Sequence, residues 1–405
     1  MTTAASADRR RLRWAGFLGV FVWGSIAGLL GAILPGLQQR AGISLDESGA
    51  MFVALSSGLV VASLVSGPLI DRTGKKKVLC TAVSLVIGAL LAFEFVNALP
   101  GLLLLAFLMG AGGSALVTAS HALIADLSAG HRASALNLLD LFFGFGAFVT
   151  PFAIVPLQAA GGLAAVLFAL AALATLVLLY LLTVRFPLEN RARDFSLGHA
   201  LGLAGSVRFL VPALLIFVYV GTEQSVWDWQ VTYFMQNLDT DNVTAARMLS
   251  VFPIAIMIGR LASNRLLLRV SPYPVLLGST LGAAACFVAT MVAPTPALGL
   301  AALFAAGLFM ASVFPTTLGV LSGRFADRSG TALGLAITCG WIGSVAISPT
   351  FGFVAQRSTY STAYLVIVGG AAAMVAVAGL LYLQRDPRTE AAPAEGARSA
   401  VPSGS

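Results

Sequence analysis

The sequence predicts an all-α integral membrane protein, with twelve transmembrane helices in two pseudo-symmetric six-helix bundles. Three observations predict it. The first is solvent: 58% of the 405 residues are hydrophobic and 10% are charged, whereas a soluble domain carries about 25% charged residues. The 24 Lys and Arg with 17 Asp and Glu cannot coat a soluble surface of that size. The second is length. Apolar runs of about 20 residues, enough to cross a bilayer as a helix, recur along the whole chain. The third is charge placement, because the basic residues gather on alternate connections.

The runs fall at 13–35, 48–70, 77–97, 100–127, 132–156, 161–185, 210–236, 243–268, 273–293, 297–324, 330–355 and 361–384. The first follows Arg9, Arg10, Arg11 and Arg13. It is too long for a signal-peptide core and has no small-residue cleavage site after it, so it reads as a span. The second and third are separated by a basic turn, and the fourth and fifth form a hairpin turning near Gly130. The sixth, from Phe168 to Leu182, is apolar on nearly every face and lacks the alternation of a membrane strand. A connection at 186–209 then divides the chain into bundles at 1–185 and 210–384. The remaining spans are joined by short polar turns. The tail, 385–405, is rich in Ala, Pro, Glu, Gly and Ser and is expected to be disordered. The halves echo each other: Gly67 ending the second span pairs with Gly259 ending the eighth, and Pro151 with Pro349.

With the N-terminus inside, the cytoplasmic segments collect all the Lys and Arg except Arg40, Arg247 and Arg357. Arg260, Arg265 and Arg269 are counted among them as one basic helix end. This places both termini in the cytoplasm, with a bacterial inner membrane as the expected location. It also disposes of nucleic acid as a partner for the net charge of +7, since the charge sits at helix ends on one membrane face. Cys80, Cys286 and Cys339 lie in apolar runs at unrelated spacings, which supports neither disulfides nor a metal site. No cofactor motif, Walker motif or nucleophile–base set occurs. An enzyme is not expected, and any transport is driven by a gradient or is passive.

Ionisable groups inside a bilayer are expensive and are functional candidates by default. Asp140 lies roughly 12 Å into the bilayer from Arg132, on one face with Asn137 and Gly144. His121 reaches the same depth from the preceding helix, so His121 and Asp140 are candidates to share a proton. Glu94 and Asp126 stand near span ends and read as structural. The seventh span carries Thr222, Glu223, Gln224, Ser225, Trp227, Asp228, Trp229 and Gln230. Indoles that stack on a sugar ring and carboxylates or amides that hold its hydroxyls make Glu223, Gln224, Trp227 and Asp228, with Asn137, candidate substrate ligands. Asp228 lies nearer the outer end, where it is also a candidate gate.

Between the second and third spans stands Gly67-Pro68-Leu69-Ile70-Asp71-Arg72-Thr73-Gly74-Lys75-Lys76-Lys77. It resembles the loop signature of the major facilitator superfamily at every defining position. Residues 134–148, 219–229 and 307–315 are similar to the fucose–proton symporter branch and its sodium-dependent glucose transporter-like members. The resemblance implies alternating access, with Gly67, Asp71, Arg72 and Gly74 in a gating latch. It also implies a small-molecule substrate such as a hexose, and symport with a proton or with sodium. The coupling ion stays open because fucose symporters carry an acidic residue in the first span and residues 13–35 contain none. A proton-coupled exporter of drugs or metabolites is the alternative within the same fold.

Overall fold

A computed structural model describes residues 3–27, 29–43, 45–186, 202 and 205–385. The chain folds as helices α1 (Thr3–Ala27), α2 (Leu29–Ala41), α3 (Leu45–Thr73), α4 (Lys75–Phe95), α5 (Leu99–Leu127) and α6 (Arg132–Thr183) in its first half. The second half holds α7 (Val207–Asn237), α8 (Asn242–Leu249), α9 (Val251–Leu266), α10 (Pro272–Met291), α11 (Pro296–Met310), α12 (Val313–Arg324), α13 (Ser329–Arg357) and α14 (Tyr360–Leu383). Most of the expected connection at 186–209, and the expected tail beyond its first residue, lie outside the described residues.

Among the described residues, ten helical stretches are long and apolar enough to cross a membrane. Helices α1 with α2 and α8 with α9 cover the first and eighth of the expected spans. The run in α6 contains two crossings, because Gly161 and Gly162 leave helical geometry there, Gly162 at φ +63°. A left-handed φ costs a residue with a Cβ but not glycine, so the turn between the fifth and sixth spans is made by two residues.

Helix ends are closed by long basic side chains. Lys76 Nζ donates to the carbonyls of Leu182 (3.0 Å) and Val184 (2.7 Å) at the end of α6. At the opposite membrane face, Arg40 donates to the Glu94 (2.9 Å) and Val96 (3.2 Å) carbonyls ending α4, to the Phe93 carbonyl, and to the Glu94 carboxylate at 3.2 Å. Both follow from the unsatisfied carbonyls and negative potential at a helix C-terminus.

Each half has its own apolar core. That of the first half, around Leu79, Val86, Leu116 and Leu167, runs on into Phe209, Ile216, Leu318, Leu333 and Ala336 of the second. The second half centres on Phe234, Phe252, Phe287, Leu303 and Tyr364. The seam between them holds the candidate site.

Candidate functional site

The loop signature closes the seam at its basic end. A Cβ on Gly67 would lie 2.5 Å from the Gly330 carbonyl oxygen and 2.9 Å from Thr331 Cα, so only glycine lets α3 approach α13 this closely. One turn on, Asp71 Oδ2 accepts from the Thr331 backbone N–H (2.8 Å) and hydroxyl (2.6 Å). A carboxylate at the first turn of α13 meets the free N–H groups and positive potential of a helix start. Gly74, at φ +87°, turns the chain into α4, Arg72 is exposed on the basic end, and Lys75 pairs with Asp126 at 2.9 Å. Ser329 donates to that same Asp126 at 3.1 Å, tying α13 to α5 as well. Further in, Ser63 and Thr338 share a 2.8 Å hydrogen bond.

A second ladder follows one face of α6. Ser134 and Asn264 exchange bonds of 2.8–2.9 Å. Asn137 Nδ2 donates to Thr316 Oγ1 (3.0 Å) and to the Ala133 carbonyl (2.9 Å). Arg260 Nη1 donates to the Asp140 carbonyl at 2.8 Å, and Gly144 faces Met257. The same row continues through Phe148 and Phe152, which are 42% and 69% exposed. The hydrogen bonds between the halves run from Asp71–Thr331 and Ser134–Asn264 inward to Ser63–Thr338 and Arg260–Asp140.

At the deep end of the ladder, His121 Nε2 stands 2.9 Å from Asp140 Oδ1, with the residues 1% and 4% exposed. His121 Nδ1 lies 2.8 Å from the Val117 carbonyl, which is only an acceptor, so Nδ1 carries a hydrogen. The pair is buried where the halves meet, and neither His121 Nε2 nor Asp140 Oδ2 has a hydrogen-bond partner.

Arg260 is a correction to the sequence reading. It is 7% exposed and buried in the seam rather than part of the basic helix end formed by Arg265 and Arg269. Its place, one residue after Gly259 within an apolar run and four before Asn264, is the signal that marks it. Glu223 stands within electrostatic reach of Arg260 and Asp140, with the Tyr219 ring one turn before it on α7. His121 and Tyr219 both pack on Phe314.

The structure thus brings Asp140 and Glu223 within reach of Arg260, with His121 beside Asp140 and Asn137 one turn before it on α6. It turns the rest of the seventh-span run elsewhere. Gln224 donates to Asp228 Oδ1 at 2.8 Å, and Ser348 on α13 donates to Asp228 Oδ2 at 2.5 Å. The Trp229 indole N–H donates to the Ser348 carbonyl at 2.9 Å, and its ring stacks on Phe351. Trp227, 40% exposed, packs edge-on against Phe252. Ser348, Thr316, Asn264 and Thr331 are partners that sequence reasoning missed. Among the described residues no group of His, Cys, Asp and Glu could hold a metal ion.

A polar site buried between two six-helix bundles is the construction of a multi-pass membrane transporter. The sequence matches the Major Facilitator Superfamily over residues 16–272 and 213–404, and the chain belongs to that family. It is a transporter and not an enzyme. It is 36% identical over 129 residues to the 4-hydroxybenzoate transporter PcaK of Pseudomonas putida, a match that covers 32% of this chain and 29% of the relative. It is 24% identical over 360 residues to an uncharacterised transporter of the same superfamily from Yersinia pestis, covering 86% of this chain and 90% of that one. The fold is similar to that of the Escherichia coli fucose:proton symporter FucP, with a TM-score of 0.79 and 22% identity over 90% of this chain and 97% of the other.

Proposed function

We propose that the chain is a proton-coupled symporter that carries a small polar solute by alternating access across a bacterial inner membrane, both termini being cytoplasmic. The single observation that carries this is the buried pair of His121 and Asp140, 2.9 Å apart on the seam. A titratable pair placed on the seam changes its surroundings each time the two bodies, 1–185 and 210–384, reorient. Asp71 and Gly67 hold the basic face shut in the state described here.

On the substrate, the polar run of the seventh span supports a monosaccharide, with Asn137 and Glu223 nearest the seam and Gln224 turned toward Asp228. Arg260 favours a second reading, an organic carboxylate, the class to which the substrate named for the Pseudomonas putida relative belongs. Export in exchange for protons is distinguished by direction. Reconstituted into liposomes, the protein is expected to accumulate solute faster when an inwardly directed proton gradient is imposed. Asp140→Asn should abolish accumulation while leaving solute exchange measurable. Accumulation by Asp140→Asn, or indifference to the gradient, overturns the coupling, and gradient-driven expulsion supports export.

A further inference from the structure

The first turns of α1 carry a surface that transport does not use. The apolar run of the first span begins at Trp14, yet the helix begins at Thr3. Arg9, Arg10, Arg11 and Arg13 therefore stand on ordered helix beyond the span, all of them exposed. Two contacts hold this extension in place. Leu12 is buried, and the Tyr180 hydroxyl, near the end of α6, donates to the Arg11 carbonyl at 3.0 Å.

Arg10, Arg13, Trp14 and Phe17 fall at i, i+3, i+4 and i+7, which is one stripe of α1. Trp14 meets Phe17 (5.9 Å) and Phe142 of α6 (5.7 Å) edge-on, and Phe17 stacks on Phe142 at 4.6 Å. Phe142 lies two residues past Asp140, on the face of α6 turned away from the seam. Deeper in, Gly24 packs on the Phe143 carbonyl and Gly146 on the Phe21 carbonyl, so α1 and α6 touch backbone to backbone. Toward the basic end the three rings fill the groove between the helices and form a ledge, with Trp14 44% exposed.

Among the described residues no carboxylate pairs with Arg10 or Arg13. Asp8, two residues before Arg10, lies on the other side of the helix. Trp is favoured where headgroups meet hydrocarbon, and the arginines stand about 6 Å outside the Phe17 ring by helical rise. Cations above an apolar ledge match a phosphate above an acyl chain. A zwitterionic lipid brings its own cation to these guanidiniums, so the match is to a lipid with net negative charge. We propose that Arg10 and Arg13 hold the phosphate of an anionic phospholipid whose acyl chain lies along Trp14, Phe17 and Phe142. The site depends on neither the solute nor the coupling ion.

The test is native mass spectrometry of the purified full chain with phosphatidylglycerol and with phosphatidylcholine of the same acyl chains, beside tryptophan quenching by the brominated forms of both lipids. The wild-type protein is expected to hold phosphatidylglycerol about tenfold more tightly, and Arg10→Gln with Arg13→Gln to lose that preference. Arg265→Gln with Arg269→Gln, at another basic helix end, should keep it. Brominated phosphatidylglycerol should quench a larger fraction of the emission of the wild type than of Trp14→Phe, and millimolar inorganic phosphate should leave the lipid in place. The proposal is overturned by no preference in the wild type, by a preference that survives in the Arg10 and Arg13 variant, or by equal loss in the Arg265 and Arg269 variant. Equal quenching in Trp14→Phe, or displacement of the lipid by phosphate, also overturns it. The wild-type preference and the quenching decide even if the Arg10 and Arg13 variant fails to fold.

Discussion

At the scale of single residues, the latch is built from what a side chain lacks as much as from what it offers. Gly67 contributes an absent Cβ, and Asp71 contributes two acceptor positions of which one oxygen takes both Thr331 donors. Gly67→Ala is expected to disfavour the sealed face by steric contact with Gly330, and Asp71→Asn by weakening a charge-assisted bond worth about 1.5–3 kcal/mol. Both should make cysteines placed on the basic side of the seam react faster with a membrane-impermeant thiol reagent. An unchanged rate in both variants sinks the latch. These residues were legible because a spacing of fixed types names them, whereas Thr331, their partner in the other half, follows from no local pattern. Arg260 was hidden by a different cause. Two more arginines follow within three turns, so the charge rule absorbs all three into one helix end, and burial of the first is a tertiary fact.

At the scale of helices, hydropathy made the spans readable because each must bury its backbone polarity within itself. What it left unread were the interruptions. The fifth and sixth spans share one helical run, broken by the Gly161–Gly162 bend, and Gly162→Ala should cost about 1 kcal/mol through its positive φ. Arg40 ties the end of α2 to the carbonyls closing α4. Arg40→Gln is expected to lower the unfolding temperature in detergent by a few degrees, as loss of about 1–2 kcal/mol would in a chain of this size, and Arg40→Lys by less. If Arg40→Gln melts with the parent protein, the clamp contributes nothing to stability. The polar face of α7 shows the same limit. Its residue types announced a site, yet Gln224, Asp228 and Trp229 spend their hydrogen bonds on one another and on Ser348, leaving Glu223 on the seam.

At the scale of the whole molecule, the halves meet along two ladders that both end midway. One runs from Asp71–Thr331 to Ser63–Thr338, the other from Ser134–Asn264 to Gly144–Met257. A rocking motion has to break both from the basic end inward. Ser63→Cys with Thr338→Cys, in a background lacking Cys80, Cys286 and Cys339, should therefore be joined by a short thiol cross-linker and stop transport until reduced. Undiminished uptake by the cross-linked protein means these bodies do not separate on that face. The pairing of His121 with Asp140 was foreseeable from hairpin geometry, because residues equidistant from a turn sit at equal depth. The ladders needed the second half docked on the first.

The midway ending of those ladders makes the two sides of the membrane unequal for anything that blocks the protein. A rigid molecule that wedges in beside the exposed Phe148 and Phe152 is expected to hold the bodies in the arrangement seen here. The same molecule offered at the arginine-studded side meets a shut door, and its potency there is set by how often the door swings.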